Sequence, residues 1–306
     1  PDYSSAASDV YKRQPFCVGV AGGFSTELGR RCFADTELVI AVGCSIAHHN
    51  ADGGKLWPNA QVLHLDLNPM ALNQGRAIAD HHMRADARLG AEALANAIQI
   101  RASTWRSPAL AHELRSTPAD SAAFSLAPGL HDPRDVIATL EAALPLDWEM
   151  VNSSGHCSYF AAQMPSRPYS RFLTIREYGA IGNGTSFAMG VAAARPDRPV
   201  VLFDGDGSLL MNIQELETIQ RHGLNLLIVV LNDGGYGSEV HKLRAEGRAE
   251  QGAVFGRTDF KPIAQAFGLD GVKVDDLAKV PDLVRKFANS GKAAVWDFPI
   301  SDKVVS

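Results

Sequence analysis

The 306-residue chain lacks the features that define several large protein classes. No apolar run approaches the ~20 residues of a membrane span, so no membrane helix is expected. Basic residues come only in short clusters and the formal net charge is −5, which offers no nucleic-acid surface. The four cysteines, Cys17, Cys32, Cys44 and Cys157, form no Cys-x-x-Cys pair. That argues against a zinc site and for free buried thiols in a cytoplasmic protein. No Gly-x-x-x-x-Gly-Lys-Ser/Thr run supports a P-loop, and no internal repeat or long low-complexity tract occurs. What is present is ordinary for an enzyme: 46% hydrophobic and 21% charged residues, in a chain long enough for two domains.

Pro1 to Gln14 is polar, aperiodic and without the apolar core of a signal peptide. Its Ser8–Gln14 string resembles the translation of a sequencing adapter. Residues 1–14 are therefore expected to be an artefact or a disordered tail outside the fold.

From residue 15 onward, strand-like and helix-like segments alternate. In residues 15–99 the strand candidates are Cys17–Ala21, Leu38–Val42 and Val62–Leu67, with helices at Thr26–Ala34 and Ala87–Ile98. Residues 100–131 are rich in Ser, Thr and Pro and read as a linker with short helical pieces. In residues 132–306, helices are expected at Pro133–Leu144, Gly182–Ala194, Leu210–His222, Pro262–Phe267 and Val280–Ala288. Strands are expected at Glu149–Asn152, Phe172–Ile175, Val200–Phe203, Leu226–Leu231 and Ala293–Phe298. Such alternation predicts an α/β protein with two doubly wound parallel-sheet domains.

Gly205-Asp206-Gly207-Ser208 follows one strand candidate, and Asn232-Asp233-Gly234-Gly235-Tyr236 follows the next. Residues 208–231, 24 in all, separate Gly207 from Asn232. Both pieces should lie at the carboxyl ends of neighbouring parallel strands, where open α/β sheets bind ligands. Two glycine-flanked carboxylates there suit a divalent metal holding a diphosphate. Asp206 and Asp233 are candidate ligands, with the Gly235 carbonyl as a third, because glycine lets the turn fold back. The backbone N–H groups of Gly207 and Ser208 can face phosphate oxygens.

Two other readings compete. A dinucleotide fingerprint would need a third glycine where Leu210 stands, and would aim a carboxylate at the phosphates. A plain strand-to-helix turn with Asp206 as N-cap explains the first piece alone but not the paired second one. Cys157 beside His156 names a nucleophile and a base, but adjacent side chains usually point apart.

The motifs resemble those of thiamine-diphosphate enzymes of the acetolactate synthase, pyruvate oxidase and 2-oxo-acid decarboxylase group. The supporting context is Gly179-Ala180-Ile181-Gly182-Asn183-Gly184, then Pro196-Asp197-Arg198-Pro199-Val200, then Gly205-Asp206-Gly207-Ser208. By resemblance, residues 15–99 are the central domain and residues 132–306 the diphosphate- and magnesium-binding domain. The cofactors implied are thiamine diphosphate and Mg2+, with FAD as an option on Gly19–Gly23 and Gly43-Cys44-Ser45. Asp206, Asp233 and Gly235 would hold the metal; Gly155, His156, Gly205, Gly207, Ser208, Asn232 and Tyr236 would line the cofactor. Ile181 would wedge beneath the thiazolium, or else be core packing. Glu239 and His241 are candidate catalytic residues, with a solvated helix charge as the alternative for Glu239.

The substrate implied is a small 2-oxo acid, decarboxylated and ligated as by acetolactate synthase, or decarboxylated with release of aldehyde. A non-catalytic nucleotide-binding or regulatory protein that keeps the fold is the alternative outside enzymes. The family's pyrimidine-binding domain, with its activating glutamate, has no counterpart before Pro15. The chain is thus expected to be a fragment, inactive alone, of a homodimer or homotetramer with its site between subunits. Asp233 departs from the family's usual asparagine and adds a negative charge beside the metal.

Overall fold

The computed structural model describes residues 14–99, 105–118, 120–164, 167, 169–175 and 177–305. Residues 1–13 of the expected tail and residues 100–104 and 119 of the expected linker lie outside the described residues. The chain divides into two compact units, residues 1–121 and 122–306.

The first unit holds a three-stranded parallel sheet. Its strands are β1 (Leu38–Val42), β2 (Gln61–Asp66) and β3 (His81–Arg84), in the order β1-β2-β3. The helices are α1 (Glu27–Ala34), α2 (Ala87–Ala97) and α3 (Pro108–Ser116). Each starts on a capping side chain: Thr26 accepts from the Gly29 N–H at 3.0 Å, Asp86 from Arg88 and Leu89, and Ser107 from Leu110. A small core gathers Ala41, Ile46, Leu56, Trp57, Val62 and Ile78. The expected strand at Cys17–Ala21 is irregular backbone instead. Gly19 and Gly22 take positive φ there, and the Gly22 Cα is pressed so closely on the His49 carbonyl that no Cβ fits. Helix α3 falls in the expected linker, where short helical pieces were expected.

The second unit is a six-stranded, wholly parallel sheet. Its strands are β4 (Glu149–Asn152), β5 (Phe172–Thr174), β6 (Val200–Gly205), β7 (Leu226–Asn232), β8 (Asp270–Lys273) and β9 (Ala294–Pro299). Their spatial order is β8-β9-β7-β6-β4-β5. The helices are α4 (Pro133–Ala143), α5 (His156–Ala161), α6 (Gly184–Ala194), α7 (Asp206–Met211), α8 (Glu215–Arg221), α9 (Gly237–Ala245), α10 (Phe260–Ala266) and α11 (Val280–Ser290).

Side chains alternate across a strand, and here both faces are covered. Val201 and Phe203 join one core with Ile137 and Leu140 of α4 and Phe287 of α11. Val200 and Leu202 join the other with Ala188 of α6, Ile219 of α8 and Phe260 of α10. The helix expected over Leu210–His222 is two: the backbone breaks at Asn212, with φ −130° and ψ 30°, between α7 and α8. No helix among the described residues is long and apolar enough to cross a membrane.

Candidate active site

Strands β4, β6 and β7 lie side by side, so their carboxyl ends form one row. Pairing of Gly205 with Leu231 and of Asn152 with Phe203 sets the register. Asp206 then opens α7 directly after β6, Asp233 follows β7, and His156 opens α5 four residues beyond the end of β4.

The structure brings the two carboxylates together in a dry setting. Both Asp206 and Asp233 are buried. The Gly234 N–H donates to Asp206 Oδ2 at 2.9 Å, and the Gly235 N–H to Asp233 Oδ1 at 3.3 Å. His156 Nδ1 lies 3.2 Å from Asp233 Oδ2. Burial, then the charge of Asp233, pushes the Asp206 carboxyl up to about 8. An Asp206 carboxyl kept protonated by burial and by the neighbouring Asp233 fits a divalent cation, whose charge would favour its ionised form. Among the described residues no three His, Cys, Asp or Glu side chains gather into a complete metal site. Further oxygens would have to come from backbone, water or ligand phosphates, as magnesium usually requires.

Glycines make the close approaches. A Cβ on Gly237 would collide with Asp233 Oδ2 and stand 2.6 Å from His156 Nδ1. A Cβ on Gly207 would stand 2.7 Å from the Tyr236 ring and 3.1 Å from Phe255. Gly235 pairs with Val254 in an isolated bridge, while the Gly234 carbonyl accepts from Phe255 and Gly256. The Tyr236 and Phe255 rings meet edge-on at 5.2 Å. The segment around 253–256 thus folds over the Asp233–Tyr236 turn. Nothing in the sequence pattern marks Phe255 as a site residue.

The remaining candidates fall in different places. Gly155, at φ +99°, lies against Ile181, whose Cγ2 would be 3.3 Å from an added Cβ. The Gly205 N–H donates to Asp204 Oδ1 at 3.0 Å. Ser208 is buried, and its hydroxyl accepts from the Gly182 N–H at 2.9 Å. Asn232 turns its amide nitrogen away from the carboxylates: Nδ2 donates to the Thr258 carbonyl at 2.8 Å and to Asp297 Oδ1 at 2.9 Å. It fastens the end of β7 to β9.

The His241 ring packs at a tilt against that of His156, with centroids 4.6 Å apart. Burial first, then the charges of His156 and Arg244, lower it to about 4, so its imidazole is neutral near pH 7. The Nε2 atoms of His156 and His241 are both buried without a protein partner. Glu239 is exposed and pairs with Lys242 at 2.9 Å. Cys157 is fully buried, and that burial, then the nearby Asp204, Asp233 and Asp206 charges, pushes its thiol well above the ordinary value, which disarms it as a nucleophile.

Asp204 was not singled out from the sequence. It is wholly buried and its carboxyl is pushed up to about 6 by burial, against the pull of the Ser208 and Ser153 hydroxyls. The Asp-Gly-Asp-Gly doublet was the available signal, but the strand ends at Gly205 and Asp206 opens a helix, so the two carboxyls belong to different elements. In the first unit, the glycine loop Gly43-Cys44-Ser45 follows β1; His64 Nε2 bonds the Cys44 carbonyl at 2.9 Å and Asn73 Nδ2 the Ser45 carbonyl at 2.9 Å.

Residues 153–298 match the model of the thiamine pyrophosphate enzyme, C-terminal TPP binding domain. The chain is similar to the acetolactate synthase large subunit of Parasynechococcus marenigrum, 30% identical over 85% of this chain and 42% of that protein. It is similar to two Escherichia coli proteins as well. The acetolactate synthase isozyme 2 large subunit is 28% identical over 90% of this chain and 50% of that protein. The isozyme 3 large subunit is 27% identical over 84% and 46%. The chain spans about half the length of the curated relatives it matches. With the Asp206–Asp233 pair at the strand ends and this match across the sheet that carries it, the second unit carries the C-terminal TPP-binding domain of thiamine pyrophosphate enzymes.

Proposed function

We propose that this chain anchors thiamine diphosphate through Mg2+ in an enzyme that acts on 2-oxo acids in the manner of acetolactate synthase. The observation that carries the reading is the buried pair Asp206 and Asp233, held by the Gly234 and Gly235 N–H groups at adjacent strand ends. Asp206, Asp233 and the Gly235 carbonyl would hold the cation. Backbone N–H groups of Gly207 and Ser208 would take the diphosphate. Gly155 and Ile181 would form the apolar floor beside it. Bound thiamine diphosphate supplies an electron sink for decarboxylating a 2-oxo acid.

The chain's own residues orient and shield. Tyr236 and Phe255 cover Gly207 and keep water from the diphosphate loop. His156 braces Asp233, and neutral His241 offers a second imidazole behind it. His241 is better placed than exposed Glu239 to handle a proton at the site. The names of the relatives support the 2-oxo-acid class and a transferase that joins two such units. A homodimer or homotetramer with the site between subunits belongs to the same reading, as does FAD in the first unit.

Calorimetric titration with thiamine diphosphate and Mg2+ tests the anchor. Saturable binding that Asp206→Ala abolishes is expected, and unchanged affinity in that variant would sink the metal assignment. With the whole protein and pyruvate, acetolactate as product supports the transferase and free aldehyde refutes it. Titration with FAD and sedimentation at several protein concentrations check the remaining two points.

A further inference from the structure

Helix α7 does more than carry Asp206. Its first turn supplies the Ser208 hydroxyl, which accepts the Gly182 N–H at 2.9 Å. Its last residue, Met211, packs against Gly182 so closely that an added Cβ would stand 2.8 Å from Sδ. The residue that ends it, Asn212, donates its side-chain amide to the Gly182 carbonyl. Gly182 is thus held on both its polar groups and on its Cα, at φ +91°, a conformation that suits glycine. Its neighbour Ile181 rests against Gly155, the residue before His156. Ser208 itself is buried, with Ser153 Oγ at 3.5 Å, so its hydroxyl faces the protein interior.

We infer that Ser208 is a positioning residue that couples occupation of the metal–diphosphate anchor to the placement of Ile181. The inference rests on the anchor reading given above. Asp206, Gly207 and Ser208 are consecutive, so a cation and phosphates settling on the first turn of α7 fix that turn. The Ser208–Gly182 bond hands this constraint to the loop bearing Ile181, and Met211 and Asn212 hold the loop from the other end of the helix. The hydroxyl of Ser208 therefore serves the apolar floor, while its backbone N–H remains available to phosphate.

Inorganic pyrophosphate with Mg2+ is the probe, because it fills the anchor and carries no ring. Amide exchange at Gly182 and the Ile181 δ1-methyl resonance are followed in the wild type, Ser208→Ala and Ser208→Thr. Without ligand, the Gly182 N–H should exchange about five-fold faster in Ser208→Ala, the worth of one net hydrogen bond, and Thr should restore it. With Mg2+ and pyrophosphate, the wild type should gain protection at Gly182 and a shifted Ile181 methyl. Ser208→Ala should bind the probe yet show neither response. Asn212→Ala, which cuts the opposite arm, should weaken the same response if Ser208→Ala does not fold. Binding by the wild type with no change at Gly182 or Ile181 overturns the coupling and leaves the anchor standing. Absence of any binding by the folded wild type overturns both.

Discussion

Strands β1 and β7 are both short apolar runs, Leu-Val-Ile-Ala-Val and Leu-Leu-Ile-Val-Val-Leu, but they live in different surroundings. Leu38, Ile40 and Val42 of β1 are 55, 40 and 39% exposed, while every residue of β7 is buried. The first unit's three-stranded sheet covers one side of its edge strand; the second unit's six-stranded sheet is packed on both faces. Only the second arrangement delivers polar side chains to a dry strand end. At that end Asn232 and Asp233 are buried directly after the apolar run. Charge at such a buried end is poorly screened, and so Asp206 feels Asp233 strongly.

The most forceful way to break this contrast is to cut the packing of each sheet. Phe203→Ala in β6 should cost about 3–5 kcal/mol in denaturant unfolding, whereas Ile40→Ala in β1 should cost less than ~1 kcal/mol. Equal losses would mean that the two sheets are covered alike.

A second test uses acidity. Asp206 sits at about 8 in the folded chain against 3.8 when free, so the folded state keeps a proton that the unfolded chain releases. Its contribution to stability is therefore present below about pH 4 and falls as pH rises toward about 8. Without divalent cation, Asp206→Asn should gain on the wild type by more than about 1 kcal/mol between about pH 5 and pH 8. Mg2+ should erase the wild type's deficit. Parallel stability–pH curves for the two proteins would remove the case for a dry carboxylate pair.

Gly237→Ala sharpens the comparison at a single atom. Its methyl would strike Asp233 Oδ2, so Mg2+-dependent thiamine diphosphate binding should weaken at least about tenfold, about 1.4 kcal/mol. Gly23→Ala in the first unit, with open space around it, should leave binding unchanged. Equal affinity in both variants would show that the cradle tolerates a Cβ. The smallest effect is expected at Glu239→Gln: its exposed pair with Lys242 should change stability by less than ~0.5 kcal/mol. A larger loss would give Glu239 a role that its solvent-facing position does not explain.

The parts of the fold that follow from local pattern were legible. The central strands β6 and β7 are apolar and rich in β-branched residues, and the expected bounds stop within two residues of the observed ends. The placement of Asp206 and Asp233 at neighbouring strand ends was legible because glycines and strand ends announce them. What sequence missed depends on tertiary partners. Strand β8, Asp-Gly-Val-Lys, has little pattern of its own and forms by pairing with β9. Helix α9 combines Gly237, polar residues and His241, and shows little amphipathic contrast. The break at Asn212 lies in a run that reads as continuous helix, and it appears because Asn212 turns its side chain to Gly182. The roles of Phe255 and Asp204 come from contacts across the fold, which spacing does not encode.

The bridge between Gly235 and Val254 constrains how this protein can change. Connections between helices usually tolerate inserted residues because they run over the surface. The connection between α9 and α10 is fastened at its middle to the turn that carries Asp233. Lengthening it ahead of Val254 would shift the frame in which Phe255 meets Tyr236. An apparently free loop is thus a poor place for a tag, a permutation point or an evolutionary insertion, and its length should be held as tightly as a strand's.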